Sequence, residues 1–291
     1  VVRNLARLGA SSAWLGRIGA DPFGDFVVEV LARDGVDVSG VERDLIRPTG
    51  VAFKEPRDSY TRVHYYRTES AASALGPSFA PAAWALKPRI LHLSGITPAL
   101  SEECLAFIEA ALSLRPHGSL VSFDVNWRAK LWTEGDPDVL LSIAQDADIA
   151  FVGLDEAEGL WGITGVNDVR AMIDRPATLI VKLGAAGCAV FSANRRIDIP
   201  ALKVDVVEPV GAGDAFAAGF LLGRLKDHDD RTAARLGPIV TSRALTINTD
   251  VGVAPAAAYI ASLLVLSDDE WAQVQYSPPS QTKTREHVPD C

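Results

Sequence analysis

Short β-branched runs alternate with longer amphipathic stretches along most of this chain, and few folds accept that pattern. Strands are expected at Ser12–Ile18, Gly50–Lys54, Thr61–Tyr66, Ile90–Ser94, Leu120–Asp124, Ile149–Val152, Thr178–Leu183, Cys188–Ser192 and Lys203–Val207. Helical periodicity covers Gly24–Asp34, Ser101–Leu114, Pro137–Ala147, Asp155–Gly159, Val166–Ile173, Gly213–Leu225 and Arg231–Thr246. The order predicts an α/β fold in three layers, a mostly parallel central sheet between helices, with ligands at the carboxyl ends of the strands. Gly50–Tyr66 breaks the rhythm: two strands joined by a polar loop, either a flap outside the sheet or an ordinary edge hairpin.

A chain of 291 residues, 48% of them hydrophobic, can bury one large core. Its net charge of -9 argues against a nucleic-acid or anionic-membrane partner. An anionic substrate would need a local basic pocket. Cys104, Cys188 and Cys291 are spaced for neither a metal nor a disulfide and fit a reducing cytoplasm. The histidines are scattered, and no apolar run reaches the roughly 18 residues of a membrane span. The chain starts without Met. Val1, Val2, Leu5 and Leu8 share a helical face, so it is expected to begin partway through a helix, with N-terminal sequence missing. Residues 1–266 are expected to form one domain with a lid at 50–66. Residues 267–291 are expected to be a tail, disordered from about 277.

Glu208-Pro-Val-Gly-Ala-Gly-Asp214, ahead of a helical run, is the stretch richest in chemistry. Gly211 and Gly213 permit a sharp turn and leave the amides of Gly211, Ala212 and Gly213 uncovered. The helix start adds free N–H groups and a positive dipole end, which suits phosphate. Asp214 would repel that anion. It is therefore either a helix cap or a general base that takes a proton from an attacking hydroxyl.

Other groups fall at strand ends. Asp124, Asn126 and Arg128 alternate, so in extended backbone they point one way and suit a polar ligand. Lys182-Leu183-Gly184-Ala-Ala-Gly187 is either a turn that admits a nucleotide or a plain hairpin. Glu156 begins a helix, as a dipole partner or as a holder of hydrated magnesium. Tyr65 and Arg67 end the flap and fit a sugar acid, or a packed hairpin with an exposed Arg.

In sequence order these pieces resemble the ribokinase-like (PfkB) family of sugar kinases over nearly the whole chain. Leu5–Gly9 with Trp14–Gly24 is similar to the family's N-terminal signature, and Val210–Asp214 to its C-terminal one. Val63–Ser73, Asp124–Trp132 and Asp268–Trp271 are most similar to 2-keto-3-deoxygluconate kinases. The resemblance implies ATP and Mg2+ as cofactors and a small-molecule sugar acid as substrate, with the lid as the route to a homo-oligomer. It implies Asp214 as base and the amides of Gly211, Ala212 and Gly213 as anion hole. Tyr65, Arg67, Arg128 and Asp250 would contact the sugar acid. Asn126, Lys182, Leu183, Gly184 and Gly187 would meet the nucleotide, and Glu156 would help hold magnesium.

The chain departs from that pattern in places. Glu208-Pro209 replaces Asp-Thr, Gly153 replaces an Asn, Ala52 stands where Tyr is frequent, and Thr249 where Gly is common. The family's first strand and its Gly-Gly-Asn region would lie before Val1. Two other readings stay open: another sugar kinase such as a fructokinase, and a non-catalytic product that binds nucleotide or a partner.

Overall fold

The computed structural model describes residues 1–56, 61–132, 136–193, 195–247, 249 and 251–277. Its centre is a six-stranded sheet. In chain order the strands are β1 (Gly16–Gly19), β2 (Val41–Asp44), β3 (Val51–Pro56), β4 (Thr61–Tyr66), β5 (Ile90–Ser94), β6 (Leu120–Asp124), β7 (Ile149–Gly153), β8 (Thr178–Lys182), β9 (Cys188–Ser192) and β10 (Arg195–Ile199). The large sheet runs β10-β9-β8-β7-β6-β5. β5 to β8 pair in parallel, and β9 and β10 return antiparallel. β1 and β2 form a small parallel pair of their own.

Alternation along the inner strands sorts side chains to two cores. Val121, Phe123, Ala150, Val152, Leu179 and Val181 pack with α3 (Phe79–Ala85), α4 (Glu102–Ser113), α5 (Pro137–Asp146), α6 (Leu154–Trp161) and α7 (Val166–Met172). Ile149, Phe151, Ile180, Cys188 and Val190 face α8 (Ala212–Leu225), α9 (Asp230–Leu245), α10 (Ala257–Leu264) and α11 (Asp268–Gln273). Ser122, Asp124, Gly153 and Lys182 fall on this second parity, so the last residues of β6, β7 and β8 all look toward α8. α1 (Val2–Arg7) lays Leu5 against Ala218 and Leu222 of α8, and α2 (Pro22–Arg33) is capped by Asp21.

The expected α/β architecture is present, and several details differ from expectation. Lys203–Val207 is not a strand. Lys203 makes one isolated bridge to Gln275, and Val206 and Val207 are exposed. Beyond that one bridge the β-branched run forms no ladder among the described residues, so propensity alone decides nothing. β2 and β10 (VERD and RRIDI) escaped notice because edge strands need no apolar run. Residues 267–277 belong to the body rather than to a tail. Trp271 of α11 is buried and donates its indole N–H to Pro200 O at 2.9 Å. Residues 278–291, including Cys291, lie outside the described residues.

β3 and β4 stand apart as a two-stranded antiparallel ribbon, the flap rather than an edge hairpin of the main sheet. Opposed residues share a face, so Ala52, Lys54, Val63 and Tyr65 lie on one side. Phe53, Glu55, Arg62, His64 and Tyr66 lie on the other, where Phe53 and Tyr66 meet edge to face and both are exposed. No helix among the described residues is long and apolar enough to cross a membrane.

Candidate active site

The Gly-rich turn opens α8 as its composition requires. Gly211 is the N-cap residue with φ +91°, a left-handed conformation that a side chain would strain. Ala212 donates its N–H to Pro209 O at 3.2 Å, so that amide closes the turn rather than facing a ligand. The N–H groups of Gly211 and Gly213 have no acceptor among the described residues. Asp214 sits in the first turn, exposed, and makes no capping hydrogen bond. Asp214 therefore makes no hydrogen-bonded cap among the described residues, and it stands at the positive end of the helix dipole.

Beside this turn is a cluster of charges on the strand ends. Lys182 Nζ lies 2.8 Å from Asp124 Oδ1 and 3.7 Å from Glu156 Oε2. A Cβ placed on Gly213 would stand 3.8 Å from the same ammonium, which ties the cluster to the start of α8. Asp124 and Lys182 end strands on either side of β7, whose own last residue is Gly153. With no side chain there, Glu156 folds back and accepts the Gly153 N–H at 2.6 Å. The Asn-to-Gly departure thus leaves Glu156 in place, and a Cβ at Gly153 would press on the Asp155 and Glu156 carboxylates. Burial raises the Glu156 pKa, while Lys182 opposes. Burial also pulls Lys182 toward its neutral form, but Asp124 and Glu156 outweigh it and its pKa is raised.

Asn126, Arg128 and Arg67 extend the cluster toward the ribbon. The extended alternation expected for Asp124, Asn126 and Arg128 stops after Asp124, because Asn126 has φ +40°. The bend turns the Asn126 amide onto Ser94 Oγ of β5 at 3.2 Å. Arg128 donates to Trp127 O and holds its guanidinium 3.6 Å from Glu156 Oε1. On the ribbon side, Arg67 stacks on the Tyr65 ring at 4.3 Å. Burial lowers the Arg67 pKa, Tyr65 opposes, and Arg128 adds to the lowering, so the two guanidiniums sense each other. Arg67 Nε is buried without a hydrogen-bond partner among the described residues.

The Lys182–Gly187 turn joins β8 to β9, with Leu183 N–H on Gly187 O at 2.8 Å. Gly187 has φ +106°, and a Cβ there would run into the backbone of Ile199–Ala201. The chain's own packing accounts for that glycine. Gly184 has φ +57° and open space beside it, so it is the glycine of this turn that faces outward. Asp250 lies outside the described residues.

The sequence reading passed over two partners, Asp124 for Lys182 and Ser94 for Asn126. Parity along β6 and β8 carried the signal for the first. Nothing local carried the second, which depends on the bend at Asn126.

The pfkB family carbohydrate kinase model matches residues 1–247. The chain belongs to that family. As a member it is a carbohydrate kinase with the ribokinase-like fold, a phosphotransferase whose acceptor is an alcohol group. It is 33% identical over 274 residues to 2-dehydro-3-deoxygluconokinase of Bacillus subtilis, across 91% of this chain and 84% of that one. It is 35% identical over 228 residues to fructokinase-1 of Oryza sativa subsp. japonica, across 76% and 70%. A PfkB protein from Polaromonas sp. is 31% identical and superposes with a TM-score of 0.79, covering 89% of this chain and 86% of that chain.

Proposed function

We propose that this family member is a cytoplasmic sugar-acid kinase. It moves the γ-phosphoryl group of ATP to the primary hydroxyl of 2-keto-3-deoxygluconate, the compound also called 2-dehydro-3-deoxygluconate. The observation that carries the acid is the pair Arg67 and Arg128. Two cations near enough to disfavour each other, one with an unpartnered buried Nε, call for an anion between lid and floor. A neutral sugar gives them nothing to bind. The likeness to the B. subtilis 2-dehydro-3-deoxygluconokinase supports the same choice. Free, buried Cys104 and Cys188 support the cytoplasmic setting.

Asp214, exposed and without a hydrogen-bond partner among the described residues, takes the proton of the attacking hydroxyl. The free amides of Gly211 and Gly213 receive the charge that builds on the phosphoryl oxygens. The Ala212 amide stabilises the turn that aims them. Lys182 meets the phosphates from below, held by Asp124 and Glu156. The nucleotide lies along Lys182-Leu183-Gly184, and Asn126 borders both ligands. Tyr65 and Arg67 close over the sugar acid and exclude water, which competes for the phosphoryl group.

Magnesium fits the donor set: carboxylates beside an anion-binding turn suit a hard, largely hydrated cation that phosphate also ligates. Among the described residues no group of three or more His, Cys, Asp or Glu is placed to hold a metal ion. Glu156, helped by Asp124, would hold it, and its charge would offset that of the phosphates.

Fructokinase is the competing reading, favoured by the 35% identity to the rice enzyme. A coupled ADP-release assay separates them. Turnover of 2-keto-3-deoxygluconate with little on fructose or ribose is expected. Turnover of fructose or ribose without the keto-deoxy acid overturns the proposal.

A further inference from the structure

The ribbon's inner face meets the body away from Tyr65 and Arg67. Lys54 of β3 holds its ammonium 4.0 Å from Glu208 Oε2. Glu208 is buried, with its side chain 8% exposed, against 28% for Lys54. Its other oxygen accepts the Val210 N–H at 3.0 Å. The Val207 and Glu208 N–H groups both converge on Leu245 O of α9. Glu208 therefore braces the segment that runs into Gly211, from which the anion-binding amides project. A buried carboxylate is costly without a cation nearby. Lys54 on the ribbon supplies a cation that faces this one. That ribbon is a two-stranded sheet of its own, with no ladder to the rest of the described residues, and such hairpins hold their place through side-chain contacts.

We propose that Lys54 and Glu208 form a latch between lid and anion hole, with Lys54 as a positioning residue for phosphoryl transfer. With the ribbon seated, the ammonium balances Glu208, and the carboxylate keeps its grip on Val210 and the turn behind it. With the ribbon lifted, Glu208 loses that cation and is drawn toward water, and the amides of Gly211 and Gly213 lose their fixed aim. The phosphoryl-binding turn is thus fully formed only under a seated lid, which limits transfer to water before the acceptor is enclosed. Register supports the arrangement. Lys54 and Tyr65 share the inner face, so the latch and the proposed sugar contact move as one. The inference rests on phosphoryl transfer and not on which sugar accepts.

Hydrogen exchange on the full chain tests the latch without any substrate. Lys54→Met is expected to speed exchange of the Val210 amide at least tenfold. Lys54→Arg should stay within twofold of the parent, as should Arg62→Gln on the ribbon's opposite face. In the kinase assay Lys54→Met should lower kcat about tenfold and raise the share of ATP lost to water, and Lys54→Arg should restore both. Adding Glu208→Gln to Lys54→Met should cost no more than the worse single change. Unchanged Val210 exchange in Lys54→Met, or fully additive losses in the double variant, overturns the latch. If the parent turns over no sugar acid, the exchange and ATP-hydrolysis readings still decide the latch, so its failure is distinct from failure of the substrate assignment.

Discussion

The floor of the site and its lid are built on different principles. The floor hangs from the ends of three adjacent parallel strands and the start of α8. Asp124 and Lys182 reach it because strand parity leaves them no other side to face. The lid is a lone ribbon with one face of exposed aromatics and one face turned to the site. On that inner face Lys54 reaches the body by an ion pair rather than through a shared sheet. A floor fixed by the core can keep one chemistry while a loosely tethered lid changes which sugar it covers. The relatives fit that division: similar identities link this chain to kinases named for a sugar acid and for a neutral sugar.

The sharpest break of the comparison comes at the floor. Asp214→Asn should cut kcat about a thousandfold, within the range of a lost general base, while nucleotide affinity stays within about twofold. Single-turnover kinetics with a nucleotide-binding titration checks it, and normal turnover removes Asp214 from the base role. Lys182→Met strands two buried carboxylates and should cost about 3 kcal/mol of folding stability, read from urea unfolding. A loss below about 0.5 kcal/mol would mean that solvent already balances the cluster.

The floor also carries a pH signature. His92 of β5 lies against Phe151 and Ser122, and burial drops its pKa to about 4 from an ordinary 6.5. Between these values the unfolded chain binds the extra proton, so stability rises with pH and is lost as pH falls from 6.5 toward 4. The full effect is about 3 kcal/mol, and His92→Gln should flatten that part of the stability profile.

Changes to the two arginines, Arg67 on the lid and Arg128 facing it from the floor, should be milder and should act on the acceptor. Arg67→Ala or Arg128→Ala should weaken transition-state binding of the sugar acid by about 2 kcal/mol, roughly thirtyfold in kcat/KM, with fructose unaffected. Equal losses on both sugars would mean the guanidiniums only support the fold. Smallest of all, Phe53→Ser on the outer face should shift stability by less than about 0.5 kcal/mol and leave kcat unchanged.

Residues 90–192 were the most legible part of the chain. The expected spans for β5, β6 and β9 coincide with the observed strands, because buried parallel strands and their neighbours carry dense apolar runs. The Gly211–Gly213 turn was legible because only glycine meets φ +91° without strain. β2, β10 and α11 were missed because their sequences are polar, and β2 and α11 also depend on partners distant in the chain, β1 and Pro200. Asn126 was misjudged because its left-handed backbone is not written in its neighbours' periodicity.

By itself the amino-acid sequence determined the layered α/β class, the Gly-rich turn ahead of a helix and the two strands at 50–66 that break the alternation. Each follows from local periodicity or from a glycine that backbone geometry demands. Only the tertiary structure decided that Lys182 sits between Asp124 and Glu156, that Ala212 gives its amide to the turn, and that Lys54 faces Glu208. Those pairings join residues from separate elements, and a charge finds its partner only when packing of the whole chain brings the two together and removes the water between them.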